Sequence, residues 1–148
     1  MSNRDAFLSM ISHSEGTDRY GKDRGYNVLV GGTLFVGYAD HPRVLIDLPR
    51  LGIKSTAAGR YQLLARYFDV YKKQLSLKDF SPASQDAIAL QQIKERGALG
   101  DVDAGNIRTA VKKCSNIWAS FPGSPYGQHT NDIEPLLAFY LKQGGTLQ

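Results

Sequence analysis

The chain has 148 residues, of which 42% are apolar and 22% are charged, and its formal net charge is +4. These values predict one globular domain spanning residues 1–148 that can bury a core. No apolar run reaches the roughly 20 residues that a membrane span requires, and the N-terminal residues lack the apolar segment of a cleavable signal peptide. We therefore expect synthesis in the cytoplasm and no stable membrane association.

The first predicted element is a short amphipathic helix that ends close to Glu15. Phe7, Leu8 and Ile11 recur at helical spacing, Asn3 is placed to cap the start, and Gly16 is a natural stop. A carboxylate in the last turn faces the negative end of the helix dipole, which costs about 0.3–1 kcal/mol. This field raises the pKa of an acid, as a proton donor requires, although burial in an apolar cleft would have to supply most of the shift. The alternative is a surface acid beside a glycine that ends the helix.

The next predicted element is a β-hairpin, because residues 26–30 and 33–38 are rich in β-branched and aromatic side chains. Gly31 and Gly32 lie between these strands and suit a tight turn. Pro49 and Gly52 indicate a loop. Four helices are predicted after it: about 60–74, 82–97 with Ser81 as its cap, 106–120 and about 132–143, with a Pro- and Gly-rich loop over 121–129 before the last. The pattern predicts an α+β fold.

The remaining composition restricts the possible chemistry and partners. The single cysteine, Cys114, cannot form an intrachain disulfide, and its apolar neighbours indicate a core residue. The three histidines are far apart in the sequence and show no ligand spacing, so we expect neither a metal nor another cofactor. The positive charge suits an anionic polymer. Because the basic residues are dispersed, we expect no nucleic-acid partner.

A helix that ends in Glu, followed by a hairpin and then by helices, is the order of a lysozyme-like fold. In that fold a small antiparallel β-sheet lobe and a helical lobe enclose an active-site cleft. The sequence also resembles one family, the endolysins of phage lambda and its relatives, from about Asp5 to Gly145. The matching segments include residues 14–18, 30–32, 40–43, 54–56, 58–64, 77–82, 91–99 and 114–120.

This resemblance implies a lytic transglycosylase of peptidoglycan. Such an enzyme cuts the β-1,4 bond between N-acetylmuramic acid and N-acetylglucosamine, and the C6 hydroxyl closes on C1 to leave a 1,6-anhydro sugar. The single catalytic acid of the family falls on Glu15. The resemblance also implies a monomer that binds glycan strands, waits in the host cytoplasm for a holin-type membrane lesion, and then acts in the periplasm.

Five further residues are predicted to bind substrate. Two loops, about 48–59 and 122–131, correspond to lips over the glycan in the family, and Ser55 and Thr56 lie in the first of them. Tyr61 and Gln62 resemble a Gly-x-x-Gln segment shared with other lytic transglycosylases; Gln62 could instead be an exposed helix residue. Tyr126 could stack on a sugar face or simply anchor its loop.

Two alternatives remain open at the level of sequence. A hydrolytic muramidase would need a second carboxylate, about 5–9.5 Å from the first, and Asp18, Asp23 and Asp40 are the candidates. A non-catalytic basic module that binds cell wall or nucleic acid would not need Glu15 at all.

Overall fold

A computed structural model of the chain describes residues 2–127 and 129–148. Gln128, within the predicted loop, and Met1, at the start of the predicted domain, lie outside the described residues. The helices are α1 (Asn3–Glu15), α2 (Ala65–Gln74), α3 (Pro82–Glu95), α4 (Leu99–Ala104), α5 (Ile107–Cys114) and α6 (Ile133–Lys142). The strands β1 (Ile46–Leu48) and β2 (Ile53–Ser55) form an antiparallel pair with Ile46 opposite Ser55. Among the described residues, no helix is long and apolar enough to cross a membrane.

The chain divides into two compact units. The helical unit contains the residues up to Glu15 together with 89–148, and the hairpin unit contains residues 16–88. The prediction of one domain over residues 1–148 stays a prediction.

The first helix ends where the sequence indicates. α1 stops at Glu15, and Gly16 follows with φ of 82°, a left-handed conformation that takes the chain out of the helix. The predicted cap at Asn3 is wrong, because Asn3 is already the first helical residue. The Ser2 hydroxyl instead accepts a hydrogen bond from the Asp5 N–H at 3.1 Å.

The core of the helical unit is built on α1, which packs against α6 and α4. The Phe7 ring meets the edge of Phe121 at 6.4 Å, and Trp118 lies 5.6 Å from Phe121. All three rings are buried. Cys114 is also fully buried, which confirms the prediction of a core cysteine, and burial raises the pKa of its thiol to about 12.

The core of the hairpin unit is a separate cluster of apolar side chains: Leu29, Phe35, Ala58, Leu63, Phe68, Phe80 and Ile88. The buried His41 ring lies 4.9 Å from the Phe80 ring and 5.9 Å from Phe68. Its Nε2 bonds the Leu63 carbonyl at 2.8 Å, and its Nδ1 accepts the Arg43 N–H at 2.9 Å. A neutral imidazole therefore connects the chain after Asp40 to the segment before α2.

The predicted hairpin around Gly31 and Gly32 is only partly formed. Leu29 donates to the Thr33 carbonyl at 2.7 Å, and Val28 and Leu34 form an isolated antiparallel bridge. Regular strands do not extend from this turn, because Gly31, Gly32 and Gly37 all have positive φ. Among the described residues, the regular strands are β1 and β2. β2 lies within the loop predicted over about 48–59, and Leu51 donates to the Leu48 carbonyl in the turn between the strands.

The second helix starts five residues later than predicted. Ala58 and Leu63 exchange two backbone hydrogen bonds of 2.9 and 3.1 Å, which closes residues 59–62 into a tight loop. Gly59 and Gln62 both have positive φ in this loop, and a Cβ on Gly59 would lie 2.5 Å from Gln85 Oε1. These long-range contacts prevent the helical conformation that the apolar spacing favours.

The later helices follow the predictions with different ends. The Ser81 hydroxyl accepts the Ser84 N–H at 3.3 Å, as expected of a cap before Pro82. The predicted helix over 106–120 is wrong at its C-terminal end, since α5 stops at Cys114 and a turn brings Trp118 N–H to the Cys114 carbonyl. Helix α4, six residues long, was not predicted.

Candidate active site

Glu15 lies at the end of α1, partly buried, with a hydrogen-bond donor directly against its carboxyl group. The Ser120 hydroxyl donates to Glu15 Oε2. Burial raises the pKa of Glu15 and is the largest cause of the shift, while the side-chain and backbone hydrogen bonds of Ser120 lower it without cancelling that effect. The arrangement favours a carboxyl group that keeps its proton to higher pH than an ordinary Glu, as a general acid requires.

Two more polar side chains, those of Ser14 and Asn131, form hydrogen bonds next to Ser120 in the helical unit. The Ser14 and Ser120 hydroxyl oxygens are 2.8 Å apart. Asn131 Nδ2 donates to Ser14 Oγ at 3.1 Å and to the Ser14 carbonyl at 3.0 Å. The Asn131 N–H also donates to the Ser120 carbonyl at 2.8 Å. The segment between Ser120 and Asn131 is thus a loop whose two ends are joined beside Glu15.

Tyr126 lies in this loop, and the residue is 54% exposed. Its hydroxyl donates to the Asn116 carbonyl oxygen. The hydroxyl bond fixes the ring while much of its surface stays open to solvent, so the loop-anchor and the sugar-stacking interpretations are compatible.

Ser55 and Thr56 lie at the end of β2 and directly after it, both partly buried. Ser55 Oγ accepts the Ala57 N–H at 3.1 Å. Thr56 Oγ1 accepts the Ala65 N–H at 3.0 Å and so satisfies an amide at the start of α2. Each hydroxyl therefore serves the local backbone as an acceptor, and its O–H is the group that could donate to a ligand.

Tyr61 and Gln62 lie in the tight loop before α2 and not on a helix. Tyr61 is only 5% exposed, and its hydroxyl donates to Asp86 at 2.6 Å. Gln62 Nε2 donates to the Gly59 and Val28 carbonyls at 3.0 and 3.2 Å. The alternative of Gln62 as an exposed helix residue is wrong. The burial of Tyr61 argues against direct contact with a glycan, and both side chains hold the loop in shape.

The three candidate second carboxylates are in the hairpin unit, and two of them have strong local partners. Asp40 bonds the Arg43 guanidinium at 3.0 Å, which lowers the pKa of Asp40. Asp23 accepts the Tyr38 hydroxyl. Asp18 is exposed on the 3₁₀ turn after Gly16. Among the described residues, no group of three or more His, Cys, Asp and Glu side chains could hold a metal ion.

Comparisons with known proteins find similar sequences over nearly the whole chain. The family model described as Endolysin matches residues 5–147. The endolysin of Escherichia phage lambda is 58% identical over 149 residues, which cover 98% of this chain and 93% of that protein. The chain belongs to the endolysin family. The endolysin of Escherichia phage P2 is 48% identical over 151 residues, with 95% of this chain and 92% of the relative covered.

Solved lysozyme structures show the same fold as this endolysin. A bacteriophage lambda lysozyme complexed with a chitohexasaccharide superposes with a TM-score of 0.96 at 56% identity, covering 100% of this chain and 98% of that chain. A second lambda lysozyme structure gives a TM-score of 0.91 at the same identity and coverage. The predicted family and the α+β, lysozyme-like fold class are confirmed.

Sequence reasoning about this endolysin missed the partners of its candidate acid. The sequence predicts Ser120 only as part of a helix and Asn131 only as part of a loop, whereas the structure places them against Glu15 and Ser14, more than 100 residues away in sequence. Helical periodicity carries no signal for such contacts. A weak signal exists in composition, because Ser120 and Asn131 flank a loop that is too rich in Pro and Gly to be helical.

Proposed function

We propose that this endolysin is a lytic transglycosylase that cleaves the β-1,4 bond between N-acetylmuramic acid and N-acetylglucosamine in peptidoglycan. The single observation that carries the proposal is the environment of Glu15, where burial raises the pKa and a serine hydroxyl holds one carboxyl oxygen. Family membership supports the coarser function, and the similar lysozyme solved with a chitohexasaccharide supports a glycan substrate.

Glu15 acts twice in the proposed reaction. The protonated carboxyl group first donates its proton to the oxygen that leaves with N-acetylglucosamine, and the bond from that oxygen to C1 breaks. The C6 hydroxyl of the muramic acid then forms a bond to C1 and loses its proton to the Glu15 carboxylate. The acid is regenerated, no water is consumed, and one group serves both steps because the first leaves it in the form that the second needs.

The surroundings of two of the three candidate second carboxylates support a mechanism with one acid. The proposal needs no partner for Glu15 of the kind that a hydrolase uses at about 5–9.5 Å. Asp40 and Asp23 are bonded to Arg43 and Tyr38 respectively, and these bonds give both carboxylates a structural role in the hairpin unit.

Substrate contacts are proposed for Tyr126, Ser55 and Thr56, while Gln62 and Tyr61 support the residues that make them. The exposed ring of Tyr126 suits stacking on a sugar face. The hydroxyls of Ser55 and Thr56 suit donation to glycan oxygens, and Gln62 supports the loop beside them. Tyr61 contributes indirectly, because its hydroxyl donates to Asp86 of α3 and so holds that loop in place.

Two measurements test the reaction itself. Mass spectrometry of fragments released from purified peptidoglycan should show 1,6-anhydromuramic ends; reducing ends that contain added water would instead support the hydrolytic muramidase. The substitution Glu15→Gln should reduce the rate at least about 100-fold while the fold is retained. The matched control is Glu134→Gln, an exposed residue paired with Arg108 at 2.6 Å, which should keep its activity. Full activity of Glu15→Gln would refute the catalytic role.

We further propose that the protein acts as a monomer and reaches the periplasm from the host cytoplasm through a holin-type lesion. This proposal rests on family membership. Cells that express the chain alone should stay intact until the inner membrane is permeabilised, whereas prompt lysis without permeabilisation would contradict it. Light scattering on the purified protein tests the monomer.

A further inference from the structure

The hydrogen bonds behind Glu15 form a chain with a defined direction. The links run from Asn131 Nδ2 to Ser14 Oγ at 3.1 Å, between Ser14 Oγ and Ser120 Oγ at 2.8 Å, and from Ser120 Oγ to Glu15 Oε2. Ser14 is 7% exposed, so the middle of the chain is shielded from water. The proposed reaction does not by itself require any of these residues other than Glu15.

The amide group of Asn131 sets the direction. Its nitrogen also lies 3.0 Å from the Ser14 carbonyl oxygen, which can only accept, so the amide is oriented with its N–H groups towards Ser14. Ser14 Oγ thus accepts from Asn131 and can give its single hydrogen to Ser120 Oγ. Ser120 then gives its own hydrogen to Glu15 Oε2. Every donor in the chain points towards the carboxyl group.

We propose that Ser120 is a positioning residue that keeps Glu15 Oε2 as an acceptor, so that Oε1 is the oxygen that carries the proton to the glycosidic bond. Asn131 and Ser14 fix the direction in which the Ser120 hydroxyl donates. The inference rests on the proposed function of Glu15 as the acid. It assigns to the loop between Ser120 and Asn131 the task of orienting that acid.

The same bond assists the first step by stabilising its product, the Glu15 carboxylate. Once Glu15 has given up its proton, a carboxylate at this partly buried position lacks full hydration, and the Ser120 hydroxyl provides a charge-assisted hydrogen bond to it. Burial raises the pKa of Glu15 while Ser120 lowers it, so the two effects set the pH at which the acid loses its proton.

Other charged groups on the elements that pack against α1 have their own partners. His13, on α1 itself, stacks on Phe139 of α6 at 3.9 Å. The charged and titratable side chains on α1, α4 and α6 that have partners include Arg4 with Asp103, Asp5 with the Ser2 hydroxyl, Asp101 with Lys113, Glu134 with Arg108, and Tyr140 with the Thr146 carbonyl. In and beside the loop, His129 and Asp132 are exposed, as are Asp5 of α1 and Lys142 of α6.

The test is the pH dependence of kcat and KM on a soluble glycan fragment of peptidoglycan. For Ser120→Ala we expect kcat to fall about 10- to 100-fold, the loss expected for a hydrogen bond to a charged group, with KM nearly unchanged. Because the carboxylate loses a donor, the alkaline limb of the kcat profile should move to higher pH. Ser120→Thr keeps a hydroxyl and should restore most of kcat and the position of the limb.

Two further variants separate positioning from simple damage to the fold. Ser14→Ala cuts the link to Asn131 but leaves the Ser120 hydroxyl on Glu15, so kcat should fall less, by about 3- to 10-fold, with the limb moving in the same direction. Ser115→Ala removes a partly buried serine whose hydroxyl bonds the Lys112 carbonyl, and it should leave both kcat and the pH profile unchanged. Circular dichroism checks that each variant is folded.

Each result bears on one proposal. If Ser120→Ala keeps its kcat and its pH profile while Glu15→Gln is inactive, the positioning role is refuted and the proposed function stands. A fall in kcat with an unmoved limb and no restoration by Ser120→Thr would likewise refute positioning. Activity of Glu15→Gln would refute the proposed function first.

Discussion

Gln85 allows the most quantitative prediction about this fold. Its side chain is 3% exposed and makes three hydrogen bonds to the backbone of three different segments. Nε2 donates to the Tyr26 carbonyl at 3.1 Å and to the Phe80 carbonyl at 2.9 Å, and Oε1 accepts the Arg60 N–H at 2.9 Å. One side chain therefore joins helix α3 to the loop that carries Tyr61 and Gln62.

The substitution Gln85→Met keeps nearly the same volume and removes all three bonds. The loss of each bond leaves one backbone N–H or C=O group unpaired in a site with little access to water, and each such group lowers the free energy of unfolding by about 1–3 kcal/mol. Relaxation recovers part of this, so about 1–1.5 kcal/mol for each bond gives an expected loss of about 3–5 kcal/mol. This is a large part of the roughly 5–15 kcal/mol by which a domain is normally stable.

The assay is urea unfolding followed by circular dichroism. With a slope on the order of 1–3 kcal/mol per molar urea, the midpoint should fall by about 1–5 M. Gln91→Met is the matched control, because it makes the same change on the same helix at a site whose Nε2 donates to Glu95, at 3.3 Å, near the surface. It should change stability by less than about 0.5 kcal/mol. A loss below about 1 kcal/mol in Gln85→Met would refute the reasoning.

Three other predictions follow from buried titratable groups. Because burial raises the pKa of Glu15, its charged form destabilises the folded state at neutral pH. Glu15→Gln should therefore unfold at higher urea than the parent at pH 7, and the difference should shrink as pH falls through the raised folded pKa and be smallest below the unfolded pKa of about 4.3. Burial lowers the pKa of His41, so stability contributed by its neutral ring should be lost as pH falls below about 6.5, and His41→Asn should flatten that slope. The buried Cys114 thiol should react with iodoacetamide at least about 100-fold more slowly in the native than in the unfolded chain.

For each of these three predictions, one result would contradict the reasoning. Lower stability of Glu15→Gln than of the parent at pH 7 would mean that the Ser120 bonds outweigh burial. An unchanged slope between pH 7 and pH 5 in His41→Asn would remove His41 as its cause. Rapid alkylation of native protein would mean that the α5 core opens readily around Cys114.

Features set by neighbouring residues were predictable from sequence. Glu15 ends α1 because Gly16 adopts a positive φ directly after it, and Ser81 with Pro82 starts α3 through contacts within four residues. Both signals depend on backbone conformation that a few side chains determine locally. The family resemblance, carried by blocks of matching residues, was equally accessible.

Features that depend on contacts distant in sequence were not predictable. The start of α2 is decided by the Ala58–Leu63 pairing and by Gln85 beneath Gly59, which override the apolar spacing of residues 60–64. β1 and β2 have three residues each, and the apolar side chains of Leu51 and Ile53 near their turn are exposed. The sequence therefore shows no alternation of apolar and polar residues from which a sheet could be inferred. In each case tertiary pairing determined the conformation.

The position and protonation of Glu15 depend both on neighbouring residues and on contacts distant in sequence. Its place at the helix end can be inferred from two adjacent residues, and the dipole at that end contributes at most about 1 kcal/mol. The larger effect is burial, and the opposing one is a hydroxyl that lies 105 residues further along the chain. Sequence can therefore identify which carboxyl group could act as the acid. Its protonation depends on that burial and on the Ser120 hydroxyl, and we propose that the hydrogen bonds joining Ser120, Ser14 and Asn131 orient it. Substitutions at these residues should therefore change the pH dependence of activity before they change the fold.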